Sequence, residues 1–459
     1  MKTLQCASPI DGSIFAQRDV MTLEDAHAAI AKTRNAQAAW AARPLPERID
    51  LVIAGMEALG AMNDEIVPEL AHMMGRPVRY GGEFGGVEER TRHMAQIAAE
   101  SLADIKVGKD ESFRRFIRRI PHGVVFVVAP WNYPYMTAIN TVAPALIAGN
   151  AVVLKHATQT LLVGERMAAA FQAAGVPEDI FINVFLDHDS TSTLIAENAF
   201  DFVNFTGSVG GGRAMEQAAA GTFTGVGTEL GGKDPGYVME DADLDAAVAT
   251  LIDGAMFNSG QCCCGIERIY VHESLYDAFV ERSVELVKSY VLGNPLNEET
   301  TIGPMAHPRF AALVRRQIAD AVAAGATAHI DPMPADDGGA YLTPQILTNV
   351  THDMEVMREE NSGPVVGIMK VASDEEAIAL MNDSRYGLTA SLWTADIDRA
   401  ETVGNKVETG TVFLNRADYL DPGLCWTGVK DTGRGGGLSV IGYHNLTRPK
   451  SYHLKKVTS

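Results

Sequence analysis

From Gly123 onward the chain falls into short, wholly apolar, β-rich runs alternating with helix-length segments, and this rhythm constrains the fold more than any other feature. Gly123-Val-Val-Phe-Val-Val-Ala129 has no polar face, as a strand covered on both sides requires. The spacing predicts a helix over 138–148, a strand over 151–154, a helix over 160–174 and a strand over 180–185. A helix over 190–197, a strand over 202–205 and a helix over 212–220 continue the series. Such alternation implies right-handed βαβ units on a parallel sheet, with ligands at the carboxyl ends of its strands. The pattern restarts near residue 230, with strands over 237–239 and 268–271, helices over 244–257 and 275–290, and further alternation to about 414. Ahead of it, 23–39 and 46–59 carry apolar residues at helical spacing.

Two segments fit neither rhythm. Residues 112–120 and 448–456 alternate large apolar and basic side chains like exposed strands, which need an edge to pair with. The expected organisation is a cofactor-binding domain over 1–229, with 105–120 set aside as an oligomerisation hairpin. A catalytic domain over 230–430 and an oligomerisation segment over 431–459 would follow. The two strand-like segments are expected to pair with another subunit, giving a homodimer or homotetramer.

A net charge of -20 argues against nucleic acid as a partner, because phosphate binding needs basic patches. No apolar run approaches the roughly 18 residues of a membrane span. With no leader-like start either, the expected location is the cytoplasm. Among the 5 cysteines, Cys262, Cys263 and Cys264 are adjacent. Such a run suits neither a disulfide framework nor a zinc site, which wants spaced ligands, and no metal is expected. It is either packing or the seat of a nucleophile.

No Gly-x-Gly-x-x-Gly string is present. Gly227 to Lys233 fits the glycine and lysine of a P-loop, but Asp234 stands where Ser or Thr should hold magnesium. The informative pieces lie at strand ends. Pro130-Trp131-Asn132-Tyr133-Pro134 carries an amide that can donate to an oxyanion or cap the helix behind it. Lys155 can meet ribose or phosphate, or be a solvated lysine. Phe205-Thr206-Gly207-Ser208 opens a helix whose N–H groups can face an anion, or Ser208 simply caps it. Glu229, among glycines, can be a general base or a paired surface carboxylate.

Together these strings resemble the aldehyde dehydrogenase superfamily from about residue 8 to 455. Pro-Trp-Asn-Tyr-Pro at 130–134, Phe-Thr-Gly-Ser at 205–208 and Glu-Leu-Gly-Gly-Lys at 229–233 are similar to its signatures, in its order. So are Gly260-Gln261-Cys-Cys-Cys264, Glu359-Glu-x-x-Gly-Pro364 and Tyr386-Gly-Leu388. The resemblance implies two parallel-sheet α/β domains with a small β oligomerisation element, and NAD or NADP as cofactor. It implies Cys263, two positions after the glutamine, as nucleophile through a thiohemiacetal and a thioester. Asn132 would be the oxyanion donor and Glu229 the base that activates the hydrolytic water. It further implies Lys155 and Glu360 at the riboses, Ser208 with Thr206 and Gly207 near the pyrophosphate, and Trp131 supporting the cleft. Tyr133, Met136, Tyr419 and Trp426 would line the aldehyde tunnel, suiting a medium-sized apolar or aromatic aldehyde. Arg416 either receives the carboxylate of a semialdehyde or pairs with Asp418 or Asp421. A coenzyme A-acylating enzyme shares the cysteine, but a glutamate at 229 favours water.

Three positions depart from the pattern. Lys155-His-Ala-Thr158 has Thr158 in place of the glutamate that meets the adenosine 2′-hydroxyl, so NADP is less excluded. Ser362 replaces a phenylalanine of the nicotinamide site, and Asp234 replaces a Ser or Asn.

Overall fold

In the computed structural model, residues 2–108, 112–334 and 338–457 are described. Residues 109–111 of the expected hairpin and 458–459 of the expected C-terminal segment lie outside them. A five-stranded parallel sheet runs in the order Phe181–Asn183, Ala151–His156, Val124–Ala129, Phe202–Thr206, Gly225–Glu229. Every residue of Val124–Ala129 and Ala151–His156 is buried, the structural meaning of their unbroken apolar runs. Each Val or Leu so covered stabilises the fold by about 1.5–3 kcal/mol relative to exposure.

The strand order turns at Val124–Ala129. Its next strand in the chain lies on one side and Phe202–Thr206 on the other. A crevice therefore opens at the carboxyl end of this strand, where the 130–134 loop, Lys155 and Thr206 emerge. The helix expected over 138–148 starts earlier, at Pro134. Proline fits a first helical turn because its fixed φ is helical and its missing N–H has no partner to lose there.

The second sheet has seven strands in the order Thr327–Ala328, Gln345–Thr348, Val365–Val371, Ile266–His272, Asp234–Val238, Thr389–Trp393, Thr411–Leu414. All pairings are parallel except that of Thr327–Ala328. Helix Leu244–Met256 packs on it and leads into the cysteine run. The strand expected to start at Tyr237 starts at Asp234, whose buried carboxylate accepts from the Thr389 N–H (3.0 Å) and Oγ1–H (2.7 Å). Lys233 is equally buried and donates to Glu267 at 2.6 Å, so the Gly227–Lys233 string makes no phosphate loop.

The two strand-like segments meet within the chain. Phe113–Pro121 and Thr447–Lys455 pair antiparallel with each other, from Thr447 opposite Pro121 to Lys455 opposite Phe113, before any second subunit is needed. Phe116 stacks on Tyr452 at 4.5 Å. Ile105–Lys106 covers the other edge of Phe113–Pro121. Just before, helix Ser439–Asn445 leans into the first core, where Leu438, Tyr443 and Leu446 are buried among Val125, Val127 and Ile139. The Tyr443 hydroxyl donates to the Met94 carbonyl at 2.7 Å. Among the described residues no helix is long and apolar enough to cross a membrane.

Candidate active site

Between the two sheets lies a cavity of about 350 Å³ lined by Tyr133, Met136, Thr206, Glu229, Cys263, Tyr419 and Trp426 among others. Seven residues named from sequence thus meet in one space. One wall carries Tyr133 of the 130–134 loop; Asn132, its neighbour in that loop, is not itself among the lining residues. Asn132 does not cap helix Pro134–Ala148; its Oδ1 accepts from the Tyr133 N–H at 3.0 Å. That leaves its amide NH2 without a donor bond to any described residue. The helix is capped from outside by Glu83, whose Oε2 accepts the N–H groups of Tyr135 (2.9 Å) and Met136 (2.7 Å). Glu83 in turn pairs with Arg76 at 2.6 Å, both buried. Arg76 donates to the Asn132 carbonyl (2.7 Å) and to Asn258 Oδ1 (3.2 Å), and lies over the Tyr133 ring at 4.8 Å. Neither Arg76 nor Glu83 stands out in the sequence.

The opposite wall is the cysteine turn. After helix Leu244–Met256 the backbone enters the left-handed region at Asn258 (φ 55), Ser259 (φ 58) and Gly260 (φ 71). Two non-glycine residues there are strained, a feature that collects at active sites. A side chain at Gly260 would meet the Gly363 carbonyl oxygen at 2.2 Å, so only glycine lets the turn pack. Gln261 locks the turn: its Oε1 accepts from Ala306 N–H (2.7 Å) and its Nε2 donates to the Asn258 carbonyl (3.1 Å). Asn258 Nδ2 donates to the Asn132 carbonyl at 3.3 Å and so ties the two walls together.

The three sulfurs lie within 4.8 Å of one another. Cys262 and Cys264 are buried, whereas Cys263 is half-buried and faces the cavity. Asp418 Oδ1 accepts from both flanking thiols, at 3.3 Å from Cys262 and 2.9 Å from Cys264. The two neighbouring cysteines, close on either side, hold Cys263 well below the usual thiol range. The same contacts push both neighbours up, so they keep their protons. Burial pushes the Asp418 carboxyl up to about 6, against the pull of the thiol donors.

Glu229 ends its strand beside Thr206, with which it is in register. Burial first, and then the charge of Cys263, push its carboxyl up to about 8, with Arg90 opposing. A thiol disposed to ionise and a carboxyl disposed to stay neutral therefore share one cavity, as acid–base partners with divergent ionisation do.

Most of the expected cofactor residues lie at the carboxyl ends of the strands of the five-stranded sheet, whereas Glu360 follows helix Glu355–Arg358. Lys155 is buried with, among the described residues, only a 3.4 Å bond to the His156 carbonyl, and burial lowers it to about 8. The Glu360 carboxylate lies on Gly231, where a side chain would collide with it at 1.9 Å, and accepts from Ser362 Oγ at 3.2 Å. Ser208 caps helix Val209–Ala219 by accepting the Gly211 N–H at 3.2 Å, and the Gly207 N–H donates to the Glu229 carbonyl at 3.0 Å. Trp131 stacks on Phe310 at 5.0 Å. Thr158 opens the turn Thr158–Thr160 after the Lys155 strand. An under-bonded cation, a carboxylate on bare backbone, the orphaned buried Nε2 of His156 and a helix N-terminus suit the phosphates and ribose hydroxyls of a dinucleotide.

One residue is misplaced by the sequence reading. Arg416 is exposed, with its guanidinium 3.5 Å over the Tyr419 ring, and is not part of the cavity lining. Asn415 turns left-handed (φ 52), and its amide is fastened to both polar groups of the Thr394 backbone, which swings Arg416 outward. The buried arginine that does line the cavity is Arg90, on helix Phe84–Ser101, together with Asn140. In sequence Arg90 looks like one more charge on a solvated helix face.

The chain matches the model of the "Aldehyde dehydrogenase family" over residues 1–452. It is 33% identical over 408 residues to "Succinate-semialdehyde dehydrogenase [NADP(+)]" of Mycolicibacterium paratuberculosis, covering 88% of this chain and 86% of that protein. To "Vanillin dehydrogenase" of Corynebacterium glutamicum it is 33% identical over 434 residues, covering 93% and 89%. Its structure superposes with TM-score 0.93 on an NADP-dependent glyceraldehyde-3-phosphate dehydrogenase from Bacillus halodurans solved with NADP, at 33% identity, covering 99% of this chain and 96% of that one. With the family match running almost end to end and the fold shared throughout, the chain belongs to the aldehyde dehydrogenase family.

Proposed function

We propose that this protein oxidises an aldehyde to its carboxylic acid with NAD or NADP, through a thiohemiacetal and then a thioester on Cys263. The observation that carries the reading is Cys263 and Glu229 in one cavity, the thiol favoured as thiolate and the carboxyl held neutral up to about 8. The Cys263 sulfur adds to the carbonyl carbon, and the oxyanion takes hydrogen bonds from the Asn132 amide and the Cys263 N–H. Collapse of that oxyanion expels hydride and leaves the thioester. When bound, the dinucleotide supplies the hydride acceptor. Lys155 and Glu360 hold its riboses, Ser208 with Thr206 and Gly207 its pyrophosphate, and Trp131 backs the cleft. Thr158 replaces a carboxylate that would repel a 2′-phosphate, so NADP is accepted as well as NAD.

Glu229 then acts on a timing set by charge. While Cys263 is a thiolate, its negative charge helps keep Glu229 protonated. Acylation removes that charge, so Glu229 ionises more readily at the step where a base is needed. It takes a proton from water, which attacks the thioester, and Cys263 leaves as thiolate. A carboxylate so placed favours water over coenzyme A as acyl acceptor. The aromatic lining of Tyr133, Tyr419 and Trp426 suits a medium-sized aldehyde.

In this reading residues 1–229, less 105–120, form the cofactor domain, 230–430 the catalytic domain and 431–459 an oligomerisation segment. The free edge of Thr447–Lys455 is the surface offered to a second subunit of a homodimer or homotetramer.

Glu229→Gln tests the scheme: a fast burst of reduced cofactor should be followed by slow turnover as thioester accumulates. The post-burst rate of the unaltered enzyme should rise with pH to a midpoint no higher than about 8. Cys263→Ala should abolish both phases and Cys262→Ala should keep most of each. Loss of the burst in Glu229→Gln would move Glu229 to an earlier step.

A further inference from the structure

A buried ion pair that the proposed chemistry does not use lies behind the catalytic segments. Lys233 and Glu267 are 1% and 3% exposed, and the Lys233 ammonium donates to Glu267 Oε2 at 2.6 Å. Lys233 follows Glu229 by four residues, and Glu267 follows Cys263 by four. The Glu267 carboxylate also accepts the Asn361 N–H, at 3.2 and 3.1 Å from its two oxygens, and the Ser362 N–H at 2.9 Å. Ser362 is left-handed (φ 45) without being glycine, and its Oγ donates to Glu360 Oε1 at 3.2 Å. The Glu360 carboxylate lies on Gly231, two residues before Lys233.

Stability alone gives little reason for this arrangement. Desolvating two charges costs about what their attraction returns, and an apolar pair of like volume often serves a fold as well. What the pair adds is direction, because one carboxylate must meet an ammonium and two backbone N–H groups at once. Strained backbone such as that at Ser362 persists only where its surroundings over-determine it, and Glu267 does so here. The side chain thereby aimed is Glu360. Gly232, beside the glycine on which Glu360 lies, packs on the Cys263 carbonyl, which a side chain there would meet at 2.5 Å. Glu360 is therefore on the nucleophile's side of the dinucleotide site, where the ribose is that of nicotinamide.

We propose that Lys233 and Glu267 are positioning residues, holding the 360–362 loop so that Glu360 meets the nicotinamide ribose of the bound dinucleotide. The inference rests on the assignment of Glu360 to a ribose and adds to it what aims that carboxylate. Lys233 and Glu267 act through the backbone of Asn361 and Ser362. Since the pair hangs from the segments that carry Glu229 and Cys263, base, nucleophile and ribose carboxylate share one fixture.

The test measures binding without turnover. Enzyme free of aldehyde is titrated calorimetrically with NAD, and with AMP as a probe that carries the adenosine ribose alone. Glu267→Gln should weaken NAD about tenfold or more, the size of a lost charge-assisted contact, while AMP binds within about twofold of the unaltered protein. Ser362→Ala leaves the ion pair intact and should weaken NAD about threefold, again sparing AMP. Should Glu267→Gln not fold, the double variant Glu267→Gln with Lys233→Met removes the uncompensated charge and should show the same split. Equal weakening of NAD and AMP would mean that the pair only supports the structure, and the positioning role would be overturned. NAD binding weakened in Glu360→Gln but kept in the Glu267 and Ser362 variants would overturn that role alone. NAD binding untouched in Glu360→Gln would remove the ribose assignment and the positioning role with it.

Discussion

The two walls of the cavity are held by different kinds of force. The Asn132 wall hangs on a buried ion pair: Arg76 and Glu83, with side chains 4% and 1% exposed, between them fix the loop carbonyl and cap the helix behind it. Among the described residues the cysteine wall contains no ion pair. It is held by three successive left-handed residues, by the neutral amide of Gln261 and by two thiols on Asp418. The contrast assigns rigidity to one wall and responsiveness to the other. In the proposed reaction, full charges pin the loop whose Asn132 amide is to meet the oxyanion. Asp418 and Glu229, whose carboxyls burial lifts to about 6 and about 8, lie near the sulfur that changes its charge in the proposed cycle.

That contrast is open to direct attack. The largest effect is expected at Glu83. Glu83→Ala leaves Arg76 buried without its counter-charge and two helix N–H groups unpaired, at a cost of about 3–5 kcal/mol in denaturant unfolding. A loss below about 1 kcal/mol would show that the wall has some other support. Next comes Asn132→Ala, which should lower kcat/KM by roughly 10²–10³ while the melting temperature barely moves. Since Glu83 and not Asn132 caps the helix, a destabilised variant with a normal pre-steady-state hydride step would reverse the assignment.

The smallest effect belongs to Asp418. Its carboxyl stands at about 6 in the fold against an ordinary 3.8, so between those values the folded state keeps a proton that the unfolded chain has released. Stability therefore falls as pH rises from about 4 to 6. Asp418→Asn should lack that fall and gain roughly 1–3 kcal/mol above pH 6 in thermal or denaturant melts. It should also move the acid limb of kcat/KM to lower pH, because one negative neighbour of Cys263 is gone. An unchanged limb would detach Asp418 from the nucleophile.

What was legible in the sequence was whatever its physics writes locally. An unbroken run such as 124–129 announces a strand covered on both faces, and the residues at strand ends announce the crevice. The motif strings brought Cys263, Glu229, Thr206 and Tyr133 into one cavity. Illegible were residues whose meaning depends on partners far along the chain. Glu83 reaches Met136, 53 positions away, and Asp418 reaches Cys264, 154 positions away. No periodicity encodes either meeting. Arg416 went wrong for a local reason that only backbone angles reveal, the left-handed turn at Asn415. The paired strands 113–121 and 447–455 were recognised as strands but not as each other's partners, since alternation fixes a strand's faces and leaves its neighbour open.

The seating of Tyr443 under Met94 has a consequence for how the molecule is made. These residues are 349 positions apart, yet both belong to the core beneath the first sheet. A ribosome delivering this chain at about 5–20 residues per second exposes an incomplete first core for tens of seconds before helix Ser439–Asn445 emerges to cover it. During that wait the apolar undersides of helices such as Phe84–Ser101 lack their cover, the state in which nascent chains aggregate or recruit chaperones. The half of the protein that is translated first is thus among the last to be finished.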